Sequence, residues 1–217
     1  NVISAAMRYV GITPPKVELP KFNKGGLPYL DYEQIQAFIP LIRGKTCELA
    51  ALLALHSLRL SELVDLKRKD IITSKDGSAT INVSGARVLD FNNKLVEKDT
   101  NKTYASKRQI PVVIPRLLEI LPDVKPDEYI VQLTPQAIGK QINKICKANN
   151  LPLVSVHGLR RSFASLGYHL GWPELRTMSF GGWTNMGTVH DHYLRESQKD
   201  IDQHSEKMRD FYKNIQP

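Results

Sequence analysis

His157-Gly158-Leu159-Arg160-Arg161-Ser162-Phe163-Ala164-Ser165 opens a run that closes with Gly181-Gly182-Trp183-Thr184-Asn185-Met186-Gly187-Thr188-Val189-His190-Asp191-His192-Tyr193. Leu159, Phe163, Leu166 and Leu170 recur at steps of four, three and four. That spacing predicts a helix with one apolar face. Gly171 and Pro173 predict its end. His157 and Arg160 stand three apart and Arg161 stands four from His157, so either arginine can project beside the imidazole. An imidazole beside a guanidinium builds a core poorly and grips a phosphate well. Trp183 and Tyr193 follow a glycine-punctuated turn.

Outward from this run, helical signals return on the N-terminal side. Asp31 can cap a helix, with Gln34 at the capping-box position, and Pro40 bends or ends it. Gly44 interrupts, and Thr46 can cap the next helix. Leu49 to Leu55 is apolar all round, which predicts a central helix. Ser61 can cap a short helix through Lys67, leaving Arg59 at a junction where its side chain can turn into a cleft. The period changes over residues 70–114. Asp70 to Thr73, Ala79 to Val83 and Arg108 to Ile114 read as strands, the first two joined through Asp76-Gly77. Residues 90–107 between them are polar and read as a hairpin tip or loop. Thr134-Pro135 caps a helix whose buried face is Ala137, Ile138, Ile142 and Ile145. Residues 197–212 read as a last helix. The fold class expected is mainly α with a small antiparallel β-sheet, an α+β domain over 31–217. Residues 1–30, rich in proline, glycine and lysine, read as a linker.

The chain has 217 residues and a net charge of +8, from 30 basic and 22 acidic side chains. Such a balance favours a polyanionic partner. No apolar run approaches the ~20 residues of a membrane span. Cys47 and Cys146 fit a reducing compartment and suggest no disulfide framework, so a cytoplasmic location is expected.

H-x-L-R, then G-W, then a tyrosine ten residues after Trp183, resembles the catalytic domain of the tyrosine recombinases, the phage integrases and their relatives. Leu58-Arg59-Leu60-Ser61-Glu62-Leu63 resembles the segment carrying that family's first arginine. Asn101-Lys102-Thr103-Tyr104-Ala105-Ser106-Lys107-Arg108-Gln109-Ile110-Pro111 resembles its K-T-x-x-S-x-R-x-I-P hairpin. The resemblance implies the fold of a DNA breaking-rejoining enzyme, a bacterial or phage-infected cell as its setting, and residues 1–30 as the linker and end of a missing N-terminal DNA-binding region. It also implies site-specific cleavage and rejoining of DNA through a 3′-phosphotyrosine, in the integration or excision of a phage or mobile element. Double-stranded DNA and other recombinase subunits, in a tetrameric synapse, are the implied partners. No metal, small-molecule cofactor or membrane enters.

The catalytic set so implied is Arg59, Lys102, His157, Arg160, Trp183 and Tyr193. Arg59 and Arg160 would hold the non-bridging phosphate oxygens and stabilise the charge of the transition state; the family pattern prefers Arg160 over Arg161. Lys102, with Lys98 and Lys107 as rivals, would protonate the leaving 5′ oxygen. His157 would move a proton or bond the phosphate. Trp183 stands where many family members carry histidine; its indole can donate a hydrogen bond but not titrate, and it can equally serve as packing. Tyr193, with Tyr168 and Tyr212 as rivals, would be the nucleophile. Two other functions compete. His190-Asp191-His192-Tyr193 faintly resembles the metal-binding histidines beside a relaxase tyrosine, although residues 190 and 192 diverge on a helix. A DNA-binding regulator without catalysis would account for the charge but not for the two arginine motifs.

Overall fold

The computed structural model describes residues 2–15, 27–98, 107–184, 205–206 and 208–209. Helix α1 (Val2–Tyr9) buries none of its residues, so the segment expected as an irregular linker begins with an exposed helix. The core already includes Leu30, which is fully buried and donates its backbone N–H to Ser162 Oγ at 2.8 Å. The expected last helix falls mostly outside the described residues; 205–206 and 208–209 are helical.

Asp31 opens helix α2 (Tyr32–Ile42) as the sequence predicts: its Oδ1 accepts from the Gln34 N–H at 2.9 Å, and Gln34 Oε1 accepts from the Asp31 N–H at 3.0 Å. Pro40 does not end this helix, which runs two residues further to Ile42. Helix α3 (Glu48–Leu55) is the centre of the fold. Ala50 through Leu55 and Leu58 are all buried, and the helix packs against helices that include α5 (Arg116–Glu119), α6 (Pro135–Ala148) and α7 (Val156–His169). An all-apolar helix is stable only in such a position. Thr46 does not cap it. Its hydroxyl donates to Gln141 Oε1 at 2.7 Å, and Cys47 takes the cap position. Helix α4 (Leu60–Leu63) is shorter than expected and begins after Arg59 rather than Ser61.

The β-patterned segment forms a three-stranded antiparallel sheet, order β1 (Ile71–Thr73), β2 (Ala79–Val83), β5 (Arg108–Pro111). Ile71 aligns with Ile81 and Ile81 with Ile110, and all three are buried on one face. A separate hairpin, β3 (Arg87–Leu89) with β4 (Leu95–Glu97), turns through the polar stretch. Thr134 caps α6 by accepting from the Ala137 N–H at 3.2 Å. Its buried face is Ile138, Ile142 and Cys146, with Ala137 and Ile145 only half-buried. In α7, Leu159 and Phe163 are buried, Leu166 is half-buried and Leu170 is exposed. Gly158 of α7 is pressed on residue 28: a Cβ there would meet Pro28 O at 2.8 Å. Helix α8 (Glu174–Gly181) packs on α7 and carries the chain to Trp183. Among the described residues, no helix is long and apolar enough to cross a membrane.

Candidate active site

The C-terminus of α8 is where the predicted arginines meet. Gly182 ends the helix with φ +64, a left-handed conformation natural to glycine. Helix ends leave carbonyls without intrahelical partners. Here successive carbonyls are taken by side chains from three other elements. Phe180 O accepts from Arg108 Nε at 3.0 Å, Gly181 O from Arg160 Nη2 at 2.6 Å, and Gly182 O from Arg59 Nη2 at 2.8 Å. The negative end of the helix dipole favours this gathering of cations.

Arg59 reaches the cluster because α3 stops at Leu55 and Leu58 is buried, so the following residue leaves the core extended at the start of α4. Its side chain keeps 38% exposure. Glu62, three residues on, accepts from the Arg59 backbone N–H at 2.8 Å and from Arg59 Nη1 at 2.7 Å. The same carboxylate binds Arg108 through both oxygens, at 3.0 and 2.9 Å, and both of those side chains are buried. Burial alone would push the Glu62 carboxyl up. The hydrogen bonds and charge of Arg108, then those of Arg59, outweigh burial and bring it from 4.5 down to about 2.

Arg160 is fully buried. Its Nη1 donates to Ser57 O and its Nη2 to Gly181 O, so the ends of α3 and α8 fix its guanidinium plane. Trp183 lies over that plane, with the Arg160 Cζ 4.2 Å from the ring centroid, a cation–π arrangement. The ring also packs against Ala164, as Met178 does. Arg161 is buried too, so neither arginine shares the exposure of His157, which lies on the first turn of α7 after the Ser155 cap. Arg59, Arg160 and Trp183 are thus brought together at one helix end, while His157 stands on the outside of the neighbouring helix. Lys102 and Tyr193 lie outside the described residues, as do Tyr212 and the His190–His192 pair.

Three participants escaped the sequence reading as site residues: Glu62, Arg108 and Ser57. Glu62 and Arg108 sat inside the quoted motifs, so spacing was their available signal. Ser57 carried none. Beside it, His56 is buried with its ring tilted against that of Phe180, the centroids 5.2 Å apart; its Nε2 accepts from the Val113 N–H at 2.9 Å. Burial, opposed by backbone hydrogen bonds and joined by the Arg108 charge, lowers its pKa from 6.5 to about 4, so it stays neutral at physiological pH. Among the described residues, no three His, Cys, Asp or Glu side chains gather in a way that would hold a metal ion.

Residues 29–200 match the model of the phage integrase family. Among solved structures, the chain is similar to the Tn1549 transposon integrase in complex with transposon right-end DNA. The TM-score is 0.67 at 18% identity, over 95% of this chain and 75% of that one. It is similar to the XerH site-specific recombinase bound to a palindromic difH substrate, with TM-score 0.58 and 20% identity over 89% of this chain and 56% of that one. XerA recombinase gives TM-score 0.58 at 15% identity over 99% and 73%. Comparison with curated proteins gives no match.

Proposed function

Because this chain belongs to the phage integrase family, we propose that it cleaves and rejoins duplex DNA by bonding Tyr193 to a 3′ phosphate. The class is that of a site-specific tyrosine recombinase. The residue roles are our assignment. Arg59 and Arg160 bind the two non-bridging oxygens of the scissile phosphate, and Arg108 with Glu62 holds Arg59 in place. The Tyr193 Oη attacks phosphorus, the P–O5′ bond breaks, and Lys102 gives its proton to the departing oxygen. His157 moves the phenolic proton. A 5′ hydroxyl from a partner strand then attacks the phosphotyrosine and displaces the tyrosine. One phosphoester replaces another in each step, so the bond energy is retained and no nucleotide is consumed.

The observation that carries this reading is the convergence of Arg59 and Arg160 on the adjacent carbonyls of Gly182 and Gly181, on the stretch of chain that runs on to Tyr193. Carbonyl oxygens are weaker acceptors than phosphate oxygens for a guanidinium. At Arg59, phosphate binding therefore exchanges the Gly182 carbonyl for a phosphate oxygen; at Arg160 it requires the Trp183 ring to give way while the Ser57 and Gly181 carbonyls continue to orient the guanidinium. The transposon integrase and XerH structures hold DNA, and the +8 charge of this chain suits the same partner. Exchange between two duplexes needs several active subunits, so a tetrameric synapse is proposed, with residues 197–217 contacting the neighbouring subunit. Residues 1–30 are proposed to lead from an N-terminal DNA-binding region. The test is a nicked suicide substrate carrying the element's own site, incubated with the full protein in excess EDTA. A protein–DNA adduct that survives denaturation is expected; cleavage abolished by the chelator would favour a metal-dependent nicking enzyme.

A further inference from the structure

Ser57 has a conformation that its residue type does not favour. It is fully buried and adopts φ +79 directly after the C-cap of α3. Left-handed backbone strains a residue with a Cβ, whereas glycine takes it freely. A side chain kept at such a position points to a use for that side chain. Here the hydroxyl donates to Phe180 O at 3.2 Å, the carbonyl that also accepts from Arg108 Nε. The same turn aims the Ser57 carbonyl at Arg160 Nη1. One residue therefore ties the end of α3 to the end of α8 with its side chain and holds Arg160 with its backbone.

We propose that Ser57 is a positioning residue for the strand-cleavage step, acting through Arg160. The two carbonyls that fix the Arg160 guanidinium belong to different elements: Ser57 O ends α3 and Gly181 O ends α8. The guanidinium plane is defined only while those two ends keep their separation. The Ser57 hydroxyl bond to Phe180 O joins them directly beside the arginine, next to the His56–Phe180 ring contact. Fully buried, Ser57 is assigned its effect through Arg160, and the proposal rests on the recombinase reading above.

Ser57→Gly keeps the left-handed turn and the carbonyl but deletes the hydroxyl; Ser57→Ala deletes the hydroxyl and keeps the strain. Both are made in the full protein, with Tm, duplex affinity and single-turnover cleavage at saturating protein measured. Ser57→Gly is expected to melt near the parent, bind DNA equally and cleave on the order of tenfold more slowly, the scale of a small misplacement of a catalytic group. Ser57→Ala is expected to slow cleavage equally while melting lower. In an Arg160→Lys background the serine substitution is expected to change the rate by less than about twofold, because the two residues act as one unit. Cleavage by Ser57→Gly at the parental rate, a rate that follows Tm across the two variants, or equal slowing in both backgrounds would overturn the proposal. A parent protein that forms no adduct removes the recombinase reading and this inference together; an adduct-forming parent with an unaffected Ser57→Gly removes this inference alone.

Discussion

Glu62 receives both terminal nitrogens of Arg108, at 3.0 and 2.9 Å, with both side chains buried. Breaking a buried pair from one side leaves an uncompensated charge, which costs more than the pair itself contributes. Glu62→Gln is therefore expected to lose about 3–5 kcal/mol at neutral pH, the usual range for such a break. Urea unfolding checks it. A loss under about 1 kcal/mol, the size of an exposed pair, would show that solvent already screens this site.

Acid should weaken the fold in two overlapping stages. His56 is held neutral, with its pKa lowered from 6.5 to about 4. The unfolded chain binds the extra proton first, so the stability from neutral His56 is complete above 6.5 and is lost as pH falls toward 4. Glu62 is lowered from 4.5 to about 2, so its contribution is complete above 4.5 and fades as pH falls toward 2. Each amounts to about 3 kcal/mol by linkage. Unfolding free energies measured from pH 8 to pH 3 should therefore begin to fall near 6.5. His56→Gln, which retains an acceptor for the Val113 N–H, should remove the upper stage and leave the lower one.

Gly181 lies directly beneath the Trp183 ring. A Cβ on this glycine would sit 2.0 Å from Trp183 Cζ3, so Gly181→Ala must displace the indole from Arg160. In a Trp172→Phe background Trp183 is the remaining tryptophan. Its emission should shift to longer wavelength and its acrylamide quenching should increase in Gly181→Ala. Unchanged emission would mean that the helix end yields instead of the ring.

Duplex binding should weaken steeply with salt, because each neutralised phosphate releases counterions. Replacing Arg59, the partly exposed arginine of the cluster, by alanine should reduce the slope of log affinity against log salt by about one contact. Fluorescence anisotropy at several salt concentrations measures this. An unchanged slope would remove Arg59 from the phosphate ligands.

Local chemistry made much of the fold legible. Asp31 with Gln34, Thr134 with Pro135, and the apolar run through α3 each name their structure through short-range rules, and each holds. Capping failed at Thr46 and Ser61 because other partners took over: Gln141 for the first hydroxyl, and Glu62 for the start of α4. At the site, the motifs located Arg59 and Arg160 but not what they bind. Their acceptors are backbone carbonyls of residues 181 and 182, and a carbonyl leaves no mark in the sequence. For the same reason the sequence named Arg160 as a phosphate ligand without showing its burial, which the carbonyls of Ser57 and Gly181 make possible. Ser57 was invisible because nothing in a serine announces a positive φ.

The central claim is that Tyr193 is the nucleophile. The direct measurement is mass-spectrometric mapping of the adduct trapped on a nicked suicide substrate, with the parent and Tyr193→Phe compared in excess EDTA. The expected result is a nucleotide joined through its 3′ phosphate to the peptide containing Tyr193. Tyr193→Phe should fold and bind DNA normally but yield no adduct. Mapping to Tyr168 or Tyr212 would contradict the assignment while keeping the chemistry, and a 5′-phosphate linkage would contradict the chemistry itself.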